Sequence, residues 1–405
     1  MVGAYTQDPQ LCALDGGQSD EVRAKAFQMA MLSWIGALLE TALPVKVATT
    51  ADERQGIAQM RYQVYVEEQK DRHPDADHEA RTIWSTDDED PNTLLFYVGP
   101  SDRPLGTLKV RVWAPGSVPA ELYAFYSMDK LPDIDCRVTC DVTALMFRAG
   151  ARGTAAVPGL TSAAARHVVS KHGVELMFAS CSPGHLPAYR RLGLRTFGGA
   201  LINDSFSMLI PLVGIVTDVE HLRQCDSPWY PSFRKLQRKG MLPKADLTAY
   251  INRVETYHTV VTGPTEIASE LAELGNAAPT GFLERFSPKA QKCLSQGGFI
   301  IDVEPDTWVV RAGSSEQEMF LILQGVFEVR TPTRRVTLTQ GDLFGELAFF
   351  GKSGLRSADV VTVTPGRMLV LRRKFLAGLR KNDPEVALDI YEAIASLMAR
   401  RLSTV

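Results

Sequence analysis

No two cysteines in the chain stand at CxxC spacing: Cys12, Cys136, Cys140, Cys181, Cys225 and Cys293 are scattered over 405 residues. That excludes a zinc knuckle or a thioredoxin-like pair, and no metal site is expected. Buried thiols in a reducing compartment fit the scatter. A charge excess is lacking too, since 44 Lys and Arg face 47 Asp and Glu for a net charge of −3. This argues against a wholesale nucleic-acid binder. No uninterrupted apolar run is long enough to span a bilayer, whose core needs about 20 mostly apolar residues. The nearest candidate, AFQMAMLSWIGALLETAL over 26–43, is broken by Gln28, Ser33 and Glu40. It is expected as an apolar helix packed on the body, with a lid over an acyl site or a membrane-surface helix as alternatives. A basic leader is absent, with Asp8, Asp15 and Asp20 ahead of that run. The expectation is a cytoplasmic protein without internal repeats, long enough for two cores.

What is present falls into two halves. The first alternates helical and strand-like segments. ADERQGIAQMRYQVYVEEQ (51–69) has helical spacing, while LLFYVG (94–99), GTLKVRVWA (106–114), CRVTCDVTALMF (136–147), VELMFASC (174–181) and FSMLIPLVGIV (206–216) are strand-like. VPGLTSAAARHVVSKHG (157–173) reads as a helix with Pro158 near its start and Gly173 at its stop. This predicts a mixed α/β layer. Residues 225–250, rich in Pro and basic side chains, are expected to connect the domains. From Gly297 short strand-like runs follow, punctuated by Gly, Asp and Thr as in a small antiparallel roll, and two helical patterns come after them.

Within the second half, GDLFGELAFFGKSGLRSADV (341–360) sets a lone Glu346 among apolar neighbours, ten residues before Arg356 and Ser357. Glycines allow close backbone approach, a helix start offers N–H groups to an anion, and a guanidinium forks onto phosphate oxygens. A carboxylate cannot share the phosphate but can accept from a sugar hydroxyl. The set suits a ligand with both phosphate and ribose. A plainer reading is an internal Glu346–Arg356 ion pair closing a loop, and the residues alone leave both open.

From about Phe282 to Leu402 the chain resembles the cyclic nucleotide-binding domains of the bacterial catabolite activators and of kinase regulatory subunits. The resemblance is carried by FLERFSPKAQKCLSQGG, by VVRAGSSEQEMFLILQGVFEVR with Gly325 at its turn, and by FGELAFF followed by LRSADV. It implies a pocket of Gly345, Glu346, Leu347, Ala348, Arg356 and Ser357, with Glu346 on the ribose 2′-hydroxyl and Arg356 and Ser357 on the cyclic phosphate. The bacterial likeness favours cyclic AMP over cyclic GMP as an allosteric ligand. The DNA-reading helices of the activators are not matched, so the sensor is expected to report to the first half of its own chain.

There, ASCSPGHLPAYRRLGLRTFGG (179–199) resembles the GNAT acyltransferase superfamily, in which splayed strand ends admit a thioester donor. The resemblance implies Tyr189 as the acid that protonates the leaving thiolate; a merely packed aromatic is the alternative. RAGARGTAAVPGL (148–160) is similar to the pyrophosphate loop before a helix. The donor set is Phe147, Arg148, Arg152 and Gly153, although Thr154, Ala155 and Ala156 replace the second glycine. Arg61 with Tyr65, the acidic residues before a strand, Gly106 with Arg111, and Asp141 resemble the acyl-homoserine-lactone and N-acyl amino acid synthase subgroup. Asp141 is a candidate general base or amine anchor, against a strand-edge carboxylate; Ala144 stands where that subgroup carries an Arg. His78 and His185 read as structural.

The expected fold is therefore α+β or α/β: a mixed-sheet acyltransferase domain over 45–224 after a helical segment over 1–44, a linker with a helix over 225–264, and a β-roll (jelly-roll) nucleotide-binding domain with flanking helices over 265–405. The expected activity is transfer of an acyl group from acyl-CoA or an acyl carrier protein to a small amine or amino acid under cyclic nucleotide control. A cyclic-AMP-regulated protein lysine acetyltransferase is the alternative within enzymes, and a non-catalytic sensor on a degenerate scaffold the one outside them.

Overall fold

In the computed structural model the described residues are 44–70, 73–198, 201–203, 206–256, 260–277, 286–351 and 354–403. The helix expected over 26–43, and Cys12, lie outside them. The first half opens with β1 (Val45–Val47) and α1 (Ala51–Tyr62). A capping box starts α1: Glu53 N donates to Thr50 Oγ1 at 3.3 Å, and Thr50 N donates back to Glu53 Oε2 at 3.0 Å. The helix runs on into a π-helical turn, Gln63–Glu68. A small ribbon, β2 (Ala76–Asp77) and β3 (Thr82–Ile83), precedes β4 (Thr93–Val98), β5 (Gly106–Trp113), α2 (Ala120–Phe125) and β6 (Thr139–Phe147). Then come α3 (Ala156–His172), β7 (Leu176–Cys181), α4 (Leu186–Leu192), β8 (Arg195–Thr196), β9 (Leu201–Asn203) and β10 (Phe206–Ile215). Gly173, at φ 68°, ends α3 in the left-handed conformation that glycine tolerates.

The strands form a mixed sheet of order β1-β4-β5-β6-β7-β10-β8, with β9 on β10. β6 and β7 pair in parallel, and their register runs only from Thr139↔Leu176 to Val142↔Ala179. Beyond that the pairing stops, at the place where the acyltransferase resemblance implies parted strand ends. Where they part, β6 carries a bulge: Thr107 pairs with Met146 and Lys109 with Thr143, so Leu108 alone opposes Ala144 and Leu145. Ala144 takes φ 49°, an uncommon conformation for a non-glycine residue.

The segment expected as a linker folds back on this half. It follows α5 (Val219–Gln224) and contributes α6 (Tyr230–Arg238) and α7 (Thr248–Thr256). Trp229, Phe233 and Leu236 are buried in the core beside α3, and Leu247, Tyr250 and Val254 in the cluster beneath α2. The 229, 233, 236 spacing is helical; Pro231 sits in the first turn of α6, where proline is tolerated. The composition that suggests a connector is thus that of a packed helix with a basic outer face.

The second half has β11 (Val260–Val261), α8 (Pro264–Ala277), α9 (Pro288–Gly297), β12 (Phe299–Val303), β13 (Trp308–Val310), β14 (Met319–Gln324), β15 (Phe327–Arg330), β16 (Arg335–Leu338) and β17 (Leu343–Phe344). It closes with α10 (Glu346–Phe350), β18 (Asp359–Thr362), β19 (Gly366–Leu371), α11 (Arg373–Asn382) and α12 (Pro384–Ser403). Two antiparallel sheets, β11-β12-β19-β14-β17 and β13-β18-β15-β16, make the roll. Gly325 makes the β14–β15 turn at φ 96°, where a Cβ would lie 2.5 Å from Pro365 O. The halves share one core: Ala179, Cys181, Leu186, Met208 and Ile210 cluster with Phe299, Ile301, Phe320 and Phe327. Among the described residues no helix is long and apolar enough to cross a membrane.

Candidate functional site

The parted ends of β6 and β7 face α4, which carries Tyr189. Tyr189 is half-buried and lines a narrow apolar cavity with Leu145, Val142, Ala179, Leu192 and Leu108. The cavity runs between the sheet and α3, and the bulge decides what borders it: Leu145 turns into it, while Ala144 turns to Met60, Val64 and Tyr65. Burial raises the Tyr189 phenol above its usual range, and the neighbouring Cys181 and Tyr65 add to that. Such a phenol keeps its proton at neutral pH, as a general acid must.

The turn between β6 and α3 gathers the expected donor residues. Arg148 Nε donates to Pro104 O at 2.7 Å, and its Nη1 to Gln63 Oε1 of the π-helical turn. Arg152 Nε donates to Phe147 O at 2.8 Å, and its Nη2 pairs with Glu68. Gly153 lies at φ 75° in open space. The N-cap of α3 is Ala155, whose side chain caps nothing, and the first turn holds no acid. Its first N–H groups are engaged within the turn, Ala156 N with Thr154 Oγ1 at 3.3 Å and Val157 N with Thr154 O at 3.4 Å, so what it offers an anion is the dipole. The Phe147 ring packs under Gly106, whose Cβ would lie 2.2 Å from it, and its carbonyl accepts from Arg152.

On the other edge of β6, Asp141 is 2 % exposed. Its Oδ2 accepts from Arg111 Nη2 at 3.0 Å and its Oδ1 from the Tyr126 hydroxyl at 2.6 Å. Arg111 also pairs with Asp87 at 2.8 Å. Both carboxylate oxygens thus have partners within the protein, Arg111 and Tyr126. A second buried charge group lies alongside: Asp88 pairs with Arg61 at 2.7 Å and with Lys109 at 3.3 Å. Burial, only partly offset by Asp88, pushes the Lys109 ammonium below its usual range. Burial works against the Asp88 charge as well, but Arg61 and then Lys109 hold its carboxyl below the usual range.

In the roll, the cassette folds around Arg356. This guanidinium is 5 % exposed, donates from Nη1 to Glu318 O at 2.8 Å and to Gly345 O at 3.1 Å, and leaves Nε without a partner. Gly345, at φ 88°, permits the approach, since a Cβ there would stand 2.6 Å from Nη1. Glu346 begins α10 half-buried, Leu347 and Ser357 are exposed and Ala348 is buried. The Glu318 carboxylate stands at ion-pair distance from Arg356, with Oε2 3.7 Å from Nη2. It is absent from the expected set, and the stretch SSEQEM carries no signal that would single it out.

Residues 56–215 match the family model described as N-acyl amino acid synthase FeeM, and residues 300–383 match that of the cyclic nucleotide-binding domain. The solved structure of FeeM, an N-acyl amino acid synthase from uncultured soil microbes, is 14% identical, covers 45% of this chain and 97% of that chain, and has a TM-score of 0.36. A cyclic nucleotide-binding domain from Methylobacillus flagellatus is 21% identical over 36% of this chain and 85% of that chain, with a TM-score of 0.31. Glutaminase 2 of Bradyrhizobium diazoefficiens is 36% identical over 96 residues, 23% of this chain; the chain spans only 15% of that curated relative's length. The protein thus carries an N-acyltransferase domain of the FeeM kind, followed by a cyclic nucleotide-binding domain.

Proposed function

We propose that the protein makes an N-acyl amino acid or a similar small N-acyl amine from an acyl thioester, under control of cyclic AMP. In this reading the acyl-transferring unit takes in α6 and α7 after residue 224, and the sensor begins with β11 at Val260. The observation that carries the reading is the coincidence of parted β6 and β7 ends, a bulge at Ala144, and the half-buried Tyr189 lining an apolar cavity. The cavity's lining is nearly all carbon and matches an alkyl chain in polarity, but its volume of about 20 Å³ must widen to admit one.

The acceptor nitrogen attacks the thioester carbon. A C–N bond forms and the C–S bond breaks, without a covalent enzyme intermediate. Backbone N–H groups of β6 at the bulge stabilise the carbonyl oxygen as it gains charge. Tyr189 gives its proton to the departing thiolate, and the amine proton leaves to solvent. Arg148, Arg152 and the N-terminus of α3 hold the phosphates of a coenzyme A or carrier-bound pantetheine donor. Arg356 and Ser357 hold the cyclic phosphate, and Glu346 the ribose.

Mass spectrometry of products formed with and without added cyclic AMP tests this reading, paired with calorimetric titration of cyclic AMP and of acyl-CoAs. An N-acyl product whose yield changes with the nucleotide is expected. Heat with cyclic AMP and none with any acyl thioester would leave a non-catalytic sensor.

A further inference from the structure

The buried carboxylate of Glu318 lies at the seam between the halves. On one side is Arg356, 3.7 Å away. On the other is Gly184 of the first half, where a Cβ would stand 1.7 Å from Glu318 Oε1. Gly184 belongs to the turn Pro183–His185, which joins the end of β7 to α4 and so carries Tyr189. Glu318 Oε2 has no hydrogen-bond partner, although the residue is only 9 % exposed. Arg372 and Glu316 also lie within its electrostatic reach, and its charge acts on the Cys181 thiol at the end of β7.

We infer that Glu318 is a positioning residue that transmits the engagement of Arg356 by an anion to the Pro183–Leu192 segment bearing Tyr189. The inference rests on the reading above, that Arg356 receives a cyclic phosphate. A phosphate on Arg356 competes for the guanidinium, and the carboxylate then loses much of its compensation inside a low-dielectric seam. It must move or neutralise. Gly184 has no side chain to shield the turn, so a shift of the carboxylate is felt directly by its backbone. The same contact works in reverse: a segment held in one position by substrate fixes the carboxylate and alters the affinity for the nucleotide.

The test is hydrogen–deuterium exchange of residues 182–192 in the full chain, with and without cyclic AMP, beside calorimetric binding. In the wild type cyclic AMP binds and changes exchange in this segment. Glu318→Gln should bind cyclic AMP within about tenfold of wild type yet lose the change. Gly184→Ala, which crowds the carboxylate, should alter exchange of the segment without nucleotide. Binding without a change at 182–192 in the wild type, or a change that persists in Glu318→Gln, overturns this inference and leaves the proposed function standing. No heat with cyclic AMP overturns that function and this inference together.

Discussion

Arg111 and Asp141 stand opposite each other across β5 and β6, with Nη2 3.0 Å from Oδ2, and Tyr126 closes the other carboxylate oxygen at 2.6 Å. The pair is buried, so its charges depend on each other. Asp141→Asn should cost about 1.5–3 kcal/mol, the worth of a hydrogen bond to a charged group, because Arg111 keeps Asp87 as a second partner. Tyr126→Phe should cost about 1.5–3 kcal/mol, the worth of a hydrogen bond to a charged group. Urea unfolding midpoints check both values. An unchanged midpoint in Asp141→Asn would free the carboxylate for another task.

Tyr189→Phe should lower kcat by about 10²–10⁴-fold, while the donor affinity holds. The sign of the pH effect follows from the proton: activity needs the phenol protonated and is lost as pH rises through its raised value, above the ordinary 10.0. The variant should lack that alkaline limb. A rate profile across alkaline pH separates this role from packing, which would shift stability instead.

Arg356→Ala should weaken cyclic AMP binding by about 2–5 kcal/mol while circular dichroism stays unchanged. Calorimetry is the measurement, and affinity equal to the wild type would defeat the assignment of the cassette.

Arg152 pairs with Glu68 at the surface, and both side chains are at least one-third exposed. Such a pair contributes about 0–1 kcal/mol to stability, so Arg152→Ala should leave the melting temperature nearly unmoved. It should raise KM for acyl-CoA about tenfold, the equivalent of one charge-assisted hydrogen bond. A pantetheine thioester without the nucleotide portion should be unaffected.

Much of this site can be read in the sequence, for identifiable reasons. The cassette is local: Gly345, Glu346, Arg356 and Ser357 lie within thirteen consecutive residues, so their chemistry can be argued from spacing. Tyr189 is a candidate because the segment after β7 resembles the acyltransferase superfamily, whose following helix carries such a residue. What is hidden depends on register. The bulge at Ala144 follows from two residues of β6 opposing one of β5, and VTALMF looks uniform along that strand. Asp141 reads as a candidate base because the partner that holds it is thirty residues away in sequence. Residues 225–250 read as a connector because their prolines and basic residues mask the apolar stripe of Trp229, Phe233 and Leu236. Glu318 is invisible because its importance lies in touching Gly184, a residue of the other half.

The pH response of stability should show that contact. Burial holds the Glu318 carboxyl above its ordinary 4.5, with Arg356 opposing, so the folded state binds the proton more tightly than the unfolded chain. This contribution is fully present below the unfolded value and is lost as pH rises through the folded one. The difference in melting temperature, Glu318→Gln minus wild type, should therefore become more positive from about pH 4.5 towards neutrality. A difference constant with pH would mean that the carboxylate is not held in the seam.

The core shared by Ala179, Met208 and Ile210 with Phe299, Ile301 and Phe320 bears on how the two parts can be separated. A recombinant sensor cut away near β11 would turn buried carbon into an adhesive face, and the acyltransferase left behind would carry the matching one. Exchanging this sensor for one with another ligand preference would require rebuilding that seam residue by residue. Partner choice between the halves is written into their packing, so any successful chimera must bring its side of the contact with it.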